Sequence, residues 1–240
     1  MLGNYVNFLA IIVGSILGLL VKKGLKEKYK KTIMQAIGLS VIFIGGSGAI
    51  SGLLNPDSEP VLFIISLVIG GIAGEIIGIE NALEKVGMLI QQKVSSVGSK
   101  EHNIAQGFVT ASLIFCVGTM AIIGSLESGL MDDHNILFAK SILDGVTSMI
   151  LASTLGIGVI FSAGAVFIYQ GAIIVFASFL EPLLTTDVIR EISIIGGILI
   201  FAIGTNMLEL TKIKTANLLP AIVVPVFYYI LILPLFDYFT

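Results

Sequence analysis

The stretch GNYVNFLAIIVGSILGLLVKK, residues 3–23, contains an apolar run, residues 4–21, followed directly by lysines. A bilayer core of roughly 30 Å needs about 20 apolar residues in helix, and this run carries no charge. A removable signal would have basic residues before the run and small residues at a cleavage site after it. Neither is present, so the stretch predicts a retained first membrane span.

Seven further apolar runs follow the first one. Each has 17 residues or more, with few charges. Backbone polar groups have no water to bond in hydrocarbon, so each run is expected to be helical. The sequence therefore predicts an all-α, polytopic membrane helix bundle of about eight transmembrane helices, in one integral membrane domain over residues 1–240. The seven runs are residues 33–54, 61–79, 104–124, 136–155, 158–180, 192–208 and 218–236.

The composition supports this fold class. Hydrophobic residues make up 56% of the chain and charged residues 12%, whereas soluble domains carry about 25% charged residues. The net charge of −3 gives no electrostatic footprint for nucleic acid. The single cysteine, Cys116, cannot form an intramolecular disulfide. A soluble enzyme and a nucleic-acid-binding protein are both disfavoured.

The charges of the connecting loops alternate along the chain. The first loop carries six lysines against Glu27, and the positive-inside rule places it in the cytoplasm. Loops with acids and no lysine, such as residues 55–60 and 126–135, are expected outside. Lys212 and Lys214 return the last loop to the inside, so both termini are predicted outside. A re-entrant pair around Gly156 is the alternative to two full spans there.

The third loop has an amphipathic pattern. Apolar residues recur every three or four positions over residues 83–97, with polar residues between them. This pattern predicts a helix that lies on the membrane surface as an extension of the third span. A docking site for a partner is the alternative interpretation.

An internal repeat is visible in three spans. The strings are VIFIGGS at residues 41–47, LIFCVGT at 113–119 and LIFAIGT at 199–205. Possible repeat units are residues 4–54, 61–124 and 158–210. In the predicted topology the third copy runs opposite to the first two, as in the inverted repeats of many secondary transporters. Chance similarity among common membrane residues is the alternative.

Charged residues inside spans are costly and are candidates for function. Asp144 lies in the most polar span, and it shares a helical face with Thr147 and Ser148. Glu75 lies near the inner end of the third span and could instead reach the interface. Further candidates for a substrate or ion path are the polar residues at the repeat junctions. These residues are Ser47, Thr119, Thr205 and Asn206.

The glycines have two interpretations. Many of the 27 lie four residues apart, as Gly14 and Gly18 do, and such spacing favours close helix packing. Local unwinding around residues 45–48 is the alternative, because broken helix would offer carbonyls to a substrate. For Ser and Thr, a hydrogen bond to a carbonyl one turn back competes with any functional role. No phosphate loop or metal-binding spacing is found, so no cofactor or metal is expected.

Several strings resemble one known family. They are GNYVNFLAIIVGSILG (3–18), FCVGTMAIIGSLESG (115–129), SILDGVTSMILASTLGIGVIFSA (141–163), YQGAI (169–173) and KTANLLPA (214–221). They are similar to the YdfK/YqgA family of bacterial polytopic membrane proteins, which share a domain of unknown function. The resemblance covers essentially the whole chain and implies a bacterial inner-membrane location. It assigns no role to any residue.

Together these patterns predict a small-solute or ion transporter of the inner membrane, and not an enzyme. The lipid bilayer and a small solute or ion are the expected partners. A homo-oligomer, such as a dimer, is also expected, because eight short helices leave little protein around a central cavity. A membrane scaffold or accessory subunit without transport is the main alternative. An intramembrane enzyme is disfavoured, because Asp144 and Glu75 are predicted to lie at different depths.

Overall fold

Long apolar helices run through most of the chain. The computed structural model describes residues 1–22, 27–82, 85, 88–89, 104–117 and 119–234. The helices are α1 (Leu2–Lys22), α2 (Glu27–Leu53), α3 (Pro60–Ile77), α4 (Ile104–Val117), α5 (Thr119–Leu130), α6 (Asn135–Leu155), α7 (Gly158–Val175), α8 (Ala177–Leu180) and α9 (Thr186–Met207). A 3-10 helix (Thr215–Val223), α10 (Val224–Phe227) and a π-helix (Tyr228–Ile232) follow.

The number of spans agrees with the sequence. Within the described residues, seven helical segments are long and apolar enough to cross a membrane. The helices α4 and α5 form an eighth span if they are taken together, although they meet at a bend of 61°. The predicted all-α, polytopic bundle is confirmed. The predicted surface helix at residues 83–97 lies largely outside the described residues.

The turn between α6 and α7 is very short. Gly156 adopts a left-handed φ of 86°, and its amide donates to the Ala152 carbonyl at 3.1 Å. Glycine tolerates this φ without steric cost. The flanking helices have 21 and 18 residues, which is the length of two full spans. The bent pair lies in the preceding span, and the turn at Gly156 joins two helices of span length.

Helices pack through their glycines. A Cβ on Gly14 of α1 would overlap the carbonyl of Gly145 on α6, and one on Gly45 of α2 would overlap the backbone of α9 at Phe201. A Cβ on Gly74 of α3 would meet the carbonyl of Asn217 in the 3-10 helix. Backbones approach this closely only where side chains are absent. α2 is helical throughout residues 45–48, so the alternative of local unwinding there is not observed.

The glycine contacts also fix helix directions. Gly38 of α2 faces Leu208 of α9 and Gly52 faces Ile194, so α2 and α9 are antiparallel. By contrast, Gly3 of α1 faces Leu137 of α6 and Gly18 faces Met149, so α1 and α6 are parallel. α9 is the most buried of the seven segments, because 61% of the residues in its apolar stretch are buried inside the protein. The bundle therefore has α9 near its centre and exposes many apolar side chains of α1, α2 and α3.

The last span changes helix type along its length. It begins as a 3-10 helix containing Pro220, becomes α-helical at Val224 and ends as a π-helix. Pro220 and Pro225 have no N–H to donate, so a regular α-helical ladder cannot form across them. This irregular span packs mainly against α3.

Candidate functional site

A buried ion pair lies near the middle of α6. Lys140 Nζ and Asp144 Oδ2 are in direct contact one helical turn apart. Their side chains are only 6% and 9% exposed. Asp144 is the tenth of the 21 residues of α6, so at about 1.5 Å per residue it lies roughly 15 Å from either end. The pair therefore lies close to the midpoint of a membrane span.

Two amide side chains extend the pair into a polar cluster. Asn7 of α1 donates through Nδ2 to Asp144 Oδ2 at 3.0 Å. The same Nδ2 lies 3.3 Å from Gln170 Oε1 on α7. On the other side, Lys140 Nζ lies 5.9 Å from the centre of the Phe115 ring of α4. The four polar residues Asn7, Lys140, Asp144 and Gln170 thus join three helices, and we call them the α6 polar cluster.

Part of this cluster has no hydrogen-bond partner. Asn7 Oδ1 and Gln170 Nε2 are buried and unpaired among the described residues, and both side chains are 0% exposed. A buried polar atom without a partner costs about 1–3 kcal/mol. Asp144 accepts hydrogen bonds from Lys140 and from Asn7, and both go to Oδ2. The cluster therefore has hydrogen-bonding capacity that its own residues do not use.

The ion pair faces a cavity of about 350 Å³, which we call the central cavity. Its polar wall consists of Lys140, Asp144, Thr147 and Ser193. The remaining wall is apolar or glycine and comes from α2, α4, α5, α6 and α9. Those residues are Val41, Ile44, Gly48, Ile114, Met120, Leu143, Gly196, Gly197 and Ile200. The exposed side chains of Ile44 and Leu143 belong to this wall, so the cavity reaches the outer surface of the bundle between α2 and α6.

A second cavity lies further along α4 and α9, and we call it the end cavity. It measures about 510 Å³ and is lined by polar residues that include Gln106, Thr110, Asn206 and Thr215. Both cavities are lined by α4 and α9, at successive turns. Leu113 and Ile203, each 4% exposed, belong to the end cavity, and Ile114 and Ile200 to the central one. Apolar side chains thus separate the two cavities.

The structure brings together only some of the residues predicted for the site. Asp144 and Thr147 both line the central cavity. Ser148 is buried but faces α1. Its hydroxyl lies 3.1 Å from the Ile11 carbonyl oxygen of α1 and 2.8 Å from the Gly145 carbonyl oxygen of its own helix, so its one hydrogen is shared between them. Its role in the structure is helix packing. The predicted face of α6 is therefore divided between the cavity and the α1 contact.

Glu75 lies apart from the central cavity. Its carboxylate accepts from Lys214 at 2.7 Å and from Asn217 at 2.6 Å, and the side chains of Glu75 and Lys214 are 59% and 58% exposed. This surface pair ties the end of α3 to the start of the last span. The expectation that Glu75 lines a path with Asp144 does not agree with this position.

The repeat-junction residues do not converge on one site. Ser47 is exposed on α2. Thr205 and Asn206 bond Thr211 and Ile213, and so fold the end of α9 onto the following loop. Because α2 and α9 are antiparallel, Ser47 lies near the level of Gly197, which is about 12 Å from Thr205 along α9. The side chain of Thr119 lies outside the described structure. The hydroxyls of Ser47 and Thr205 thus occupy different levels.

Sequence reasoning missed Lys140 and Gln170. Lys140 precedes Asp144 by four residues inside the same apolar run, and opposite charges at this spacing face each other on a helix. That spacing is a signal that could have identified the pair. Gln170 has no such local signal, because its partner Asn7 comes from a helix far away in sequence. Asn7 is one of two asparagines in the first span, and its place in the sequence does not indicate which helix it meets.

A second buried charge lies at the start of α9. Glu191 is fully buried, and its Oε1 accepts from the Glu59 amide at 3.0 Å. Arg190 bonds Asp187 at 2.8 Å and the Asp57 carbonyl. The predicted seventh span began at residue 192 and left these charges in a loop. In the structure they lie inside α9 and fasten the α2–α3 connection to it.

The sequence matches one protein family over nearly its whole length. Residues 2–230 match the family described as "Protein of unknown function (DUF554)". The chain belongs to this family. One DUF554 relative, "Uncharacterized membrane protein YdfK" of Bacillus subtilis (strain 168), is 42% identical over 226 residues, which are 94% of each chain. "Uncharacterized protein YqgA" of Escherichia coli (strain K12) is 28% identical over 225 residues, covering 92% of this chain and 93% of that protein.

No solved structure shows a significant match to this DUF554 chain. The relative YdfK is named a membrane protein, and this agrees with the helices of span length in this chain. Among the described residues, no three His, Cys, Asp or Glu side chains come close enough together to hold a metal ion.

Proposed function

We propose that this protein is a small-solute or ion transporter of the bacterial inner membrane, and that the central cavity is its substrate site. The observation that carries the proposal is the buried Lys140–Asp144 pair, which lies midway along α6 and faces a cavity of about 350 Å³. Substrate sites of secondary transporters lie near the bilayer midplane, between helices. Ligand pockets generally measure about 300–1,000 Å³, and this cavity falls in that range.

Stability alone does not account for the ion pair. Replacing a buried ion pair by well-packed apolar residues is often neutral or stabilising, by about 1–4 kcal/mol. In a membrane span such residues would also insert more readily. The pair is nevertheless held by Asn7 and lies beside an open space rather than in a filled core. Its position favours a role in binding something that enters the cavity.

The two cavities suggest a route for the solute. The end cavity has a polar lining with Gln106, Thr110 and Asn206, whereas Leu113 and Ile203 stand between it and the central cavity. In this proposal a solute passes from the end cavity to the ion pair when these apolar side chains separate. The positive-inside rule assigns the end cavity to the cytoplasmic side, because Lys212 and Lys214 follow α9 directly.

We also propose that the protein is a dimer. The central cavity reaches the bundle surface between the exposed side chains of Ile44 and Leu143. In a monomer this opening would bring hydrocarbon close to a charged pair, which is unfavourable. A second copy packed over this face would close the cavity from the lipid. No chemical step is assigned to the site, because the acid at Glu75 lies at the surface, away from Asp144.

Flux measurements in proteoliposomes test the transport proposal. The purified protein is reconstituted, and uptake of cations, amino acids and small carboxylates is measured with and without a pH gradient. We expect Asp144→Asn to abolish the flux that the wild type shows. Glu75→Gln is the matched control, since it removes a carboxylate from an exposed pair and should leave the flux intact. Absence of flux for every solute would contradict the proposal and favour a scaffold.

A further inference from the structure

We infer that the central cavity takes a small zwitterion, such as an α-amino acid with an apolar side chain, whose ammonium contacts Asp144 and whose carboxylate contacts Lys140. This inference rests on the proposed transport function and names its substrate class. It follows from the charge balance of the cavity, from the position of the oxygen that Asp144 leaves unused, and from the composition of the wall.

The charge balance excludes solutes with a single charge. The cavity holds one ammonium and one carboxylate, and their charges cancel. A lone cation bound to Asp144 would leave two buried positive charges beside one carboxylate. A lone anion bound to Lys140 would leave two buried negative charges beside one ammonium. A zwitterion supplies a partner to both groups at once, so each buried charge stays paired while the solute is bound.

The geometry offers both charges to one solute. Side chains four residues apart lie on the same helical face, with their Cβ atoms about 5–6 Å apart. Lys140 and Asp144 both line the cavity. The contacts of Asp144 with Lys140 and Asn7 both use Oδ2, so Oδ1 is the oxygen available for an incoming ammonium. Lys140 Nζ and Asp144 Oδ2 are in direct contact, so a solute that reaches both must carry its two charges close together, as an α-amino acid does.

The rest of the cavity wall favours an amino acid with a compact, apolar side chain. Thr147 and Ser193 also line the cavity with hydroxyl oxygens, and the other lining side chains are apolar, such as Ile114, Met120 and Ile200. The cavity volume of about 350 Å³ holds a small solute but little more. We therefore expect short or branched aliphatic amino acids rather than strongly polar ones.

Matched probes test the inference on the wild-type protein without any substitution. L-leucine carries both charges, 3-methylbutylamine lacks the carboxylate, and 4-methylpentanoate lacks the ammonium. Glycine and L-alanine extend the zwitterion series. Binding is measured by the shift in melting temperature of the purified protein, and transport by uptake into proteoliposomes. We expect at least one zwitterion to bind, with the singly charged analogues weaker by roughly 10- to 100-fold, as for the loss of one charge-assisted hydrogen bond.

Two substitutions then test which residue contacts which charge. Lys140→Met leaves a carboxylate and should shift preference from L-leucine to 3-methylbutylamine. Asp144→Asn leaves an ammonium and should shift preference to 4-methylpentanoate. Glu75→Gln is the control and should keep the wild-type preference. The probes on the wild type decide the inference even if either cavity variant fails to fold.

The outcomes separate the two proposals. Flux of a lone cation or a lone carboxylate in the wild type, abolished by Asp144→Asn, would support transport and overturn the zwitterion. Binding of none of the three zwitterions would overturn the inference as well. Absence of flux for every probe and every ion would contradict both proposals. Zwitterion flux that is unchanged in Lys140→Met would show that the carboxylate lies elsewhere.

Discussion

Two ion pairs of the same chemistry differ in burial. Lys140–Asp144 is almost fully enclosed, whereas both side chains of Lys214–Glu75 are more than half exposed. We expect Lys140→Met to lower the free energy of unfolding by about 3–5 kcal/mol, because it leaves Asp144 buried and unpaired. The double variant Lys140→Met/Asp144→Asn should recover much of this loss, because no net charge stays buried. The melting temperature in detergent measures both effects.

The exposed pair supplies the matched control. Lys214→Met should change the melting temperature little, because solvent screens this pair. If Lys214→Met and Lys140→Met destabilised the protein equally, burial would not govern the energetics of these pairs. If the double variant were no more stable than Lys140→Met, the recovery expected from charge balance would be absent.

Asp144 could be predicted from the sequence, while most of its surroundings could not. A charge in an apolar run is conspicuous, because hydrocarbon leaves few reasons to keep it. The rotation of each helix about its own axis is not encoded so clearly, because side chains that face lipid and side chains that face the core are both apolar. For this reason the sequence could not show that Ser148 faces α1, that Ser47 faces outward, or that Asn7 meets Gln170.

At the scale of helices, the contact between α1 and α6 depends on missing side chains. We expect Gly14→Val to destabilise the protein by at least about 1–3 kcal/mol, because the new side chain would overlap the Gly145 carbonyl and force the backbones apart. It should also weaken the contact between Asn7 and Asp144, which spans these two helices. Thermal unfolding in detergent, compared with the wild type, measures the loss.

Gly48 is the control for this prediction. Apart from its own turn of helix, no atom of the described residues lies within 4 Å of a Cβ built on Gly48, so Gly48→Ala should leave stability unchanged or raise it slightly. Equal losses for Gly14→Val and Gly48→Ala would indicate a general intolerance of side chains rather than a specific close approach.

The spans themselves were predictable because length and hydropathy decide them. Irregularities within spans were less so. The start of α9 lies six residues before the predicted seventh span, at Thr186, because Arg190 and Glu191 find partners and can be tolerated inside the helix.

For the whole molecule, the loop charges predict an orientation that labelling can test. With Cys116→Ser as background, Asp57→Cys is expected to react with a membrane-impermeant maleimide in intact cells, because its loop is predicted outside. Lys212→Cys should react only after the cells are permeabilised. Both positions are exposed. The loop of Asp57 lies at the start of α9 and Lys212 follows its end, so the 22-residue helix lies between them. Labelling of Lys212→Cys in intact cells, with Asp57→Cys protected, would reverse the orientation.

The arrangement of α2 and α9 bears on the repeats. These helices carry the first and third copies of the repeated string, and they pack antiparallel through glycines. An inverted repeat requires this relation of directions. A shared origin of the copies stays a prediction, and so do the repeat units at residues 4–54, 61–124 and 158–210.

The short turn at Gly156 has a consequence for biosynthesis. With Lys140 and Asp144, α6 has the lowest mean hydropathy of the seven span-length segments, 1.5, against 1.9 for α7. Only two residues separate the two helices, so α7 follows α6 directly into the translocon. We expect the translocon to insert them as one hairpin, with α7 compensating for the charges of α6. In cell-free translation, chains truncated after Leu155 should leave α6 uninserted, whereas chains extended to Val175 should insert both helices.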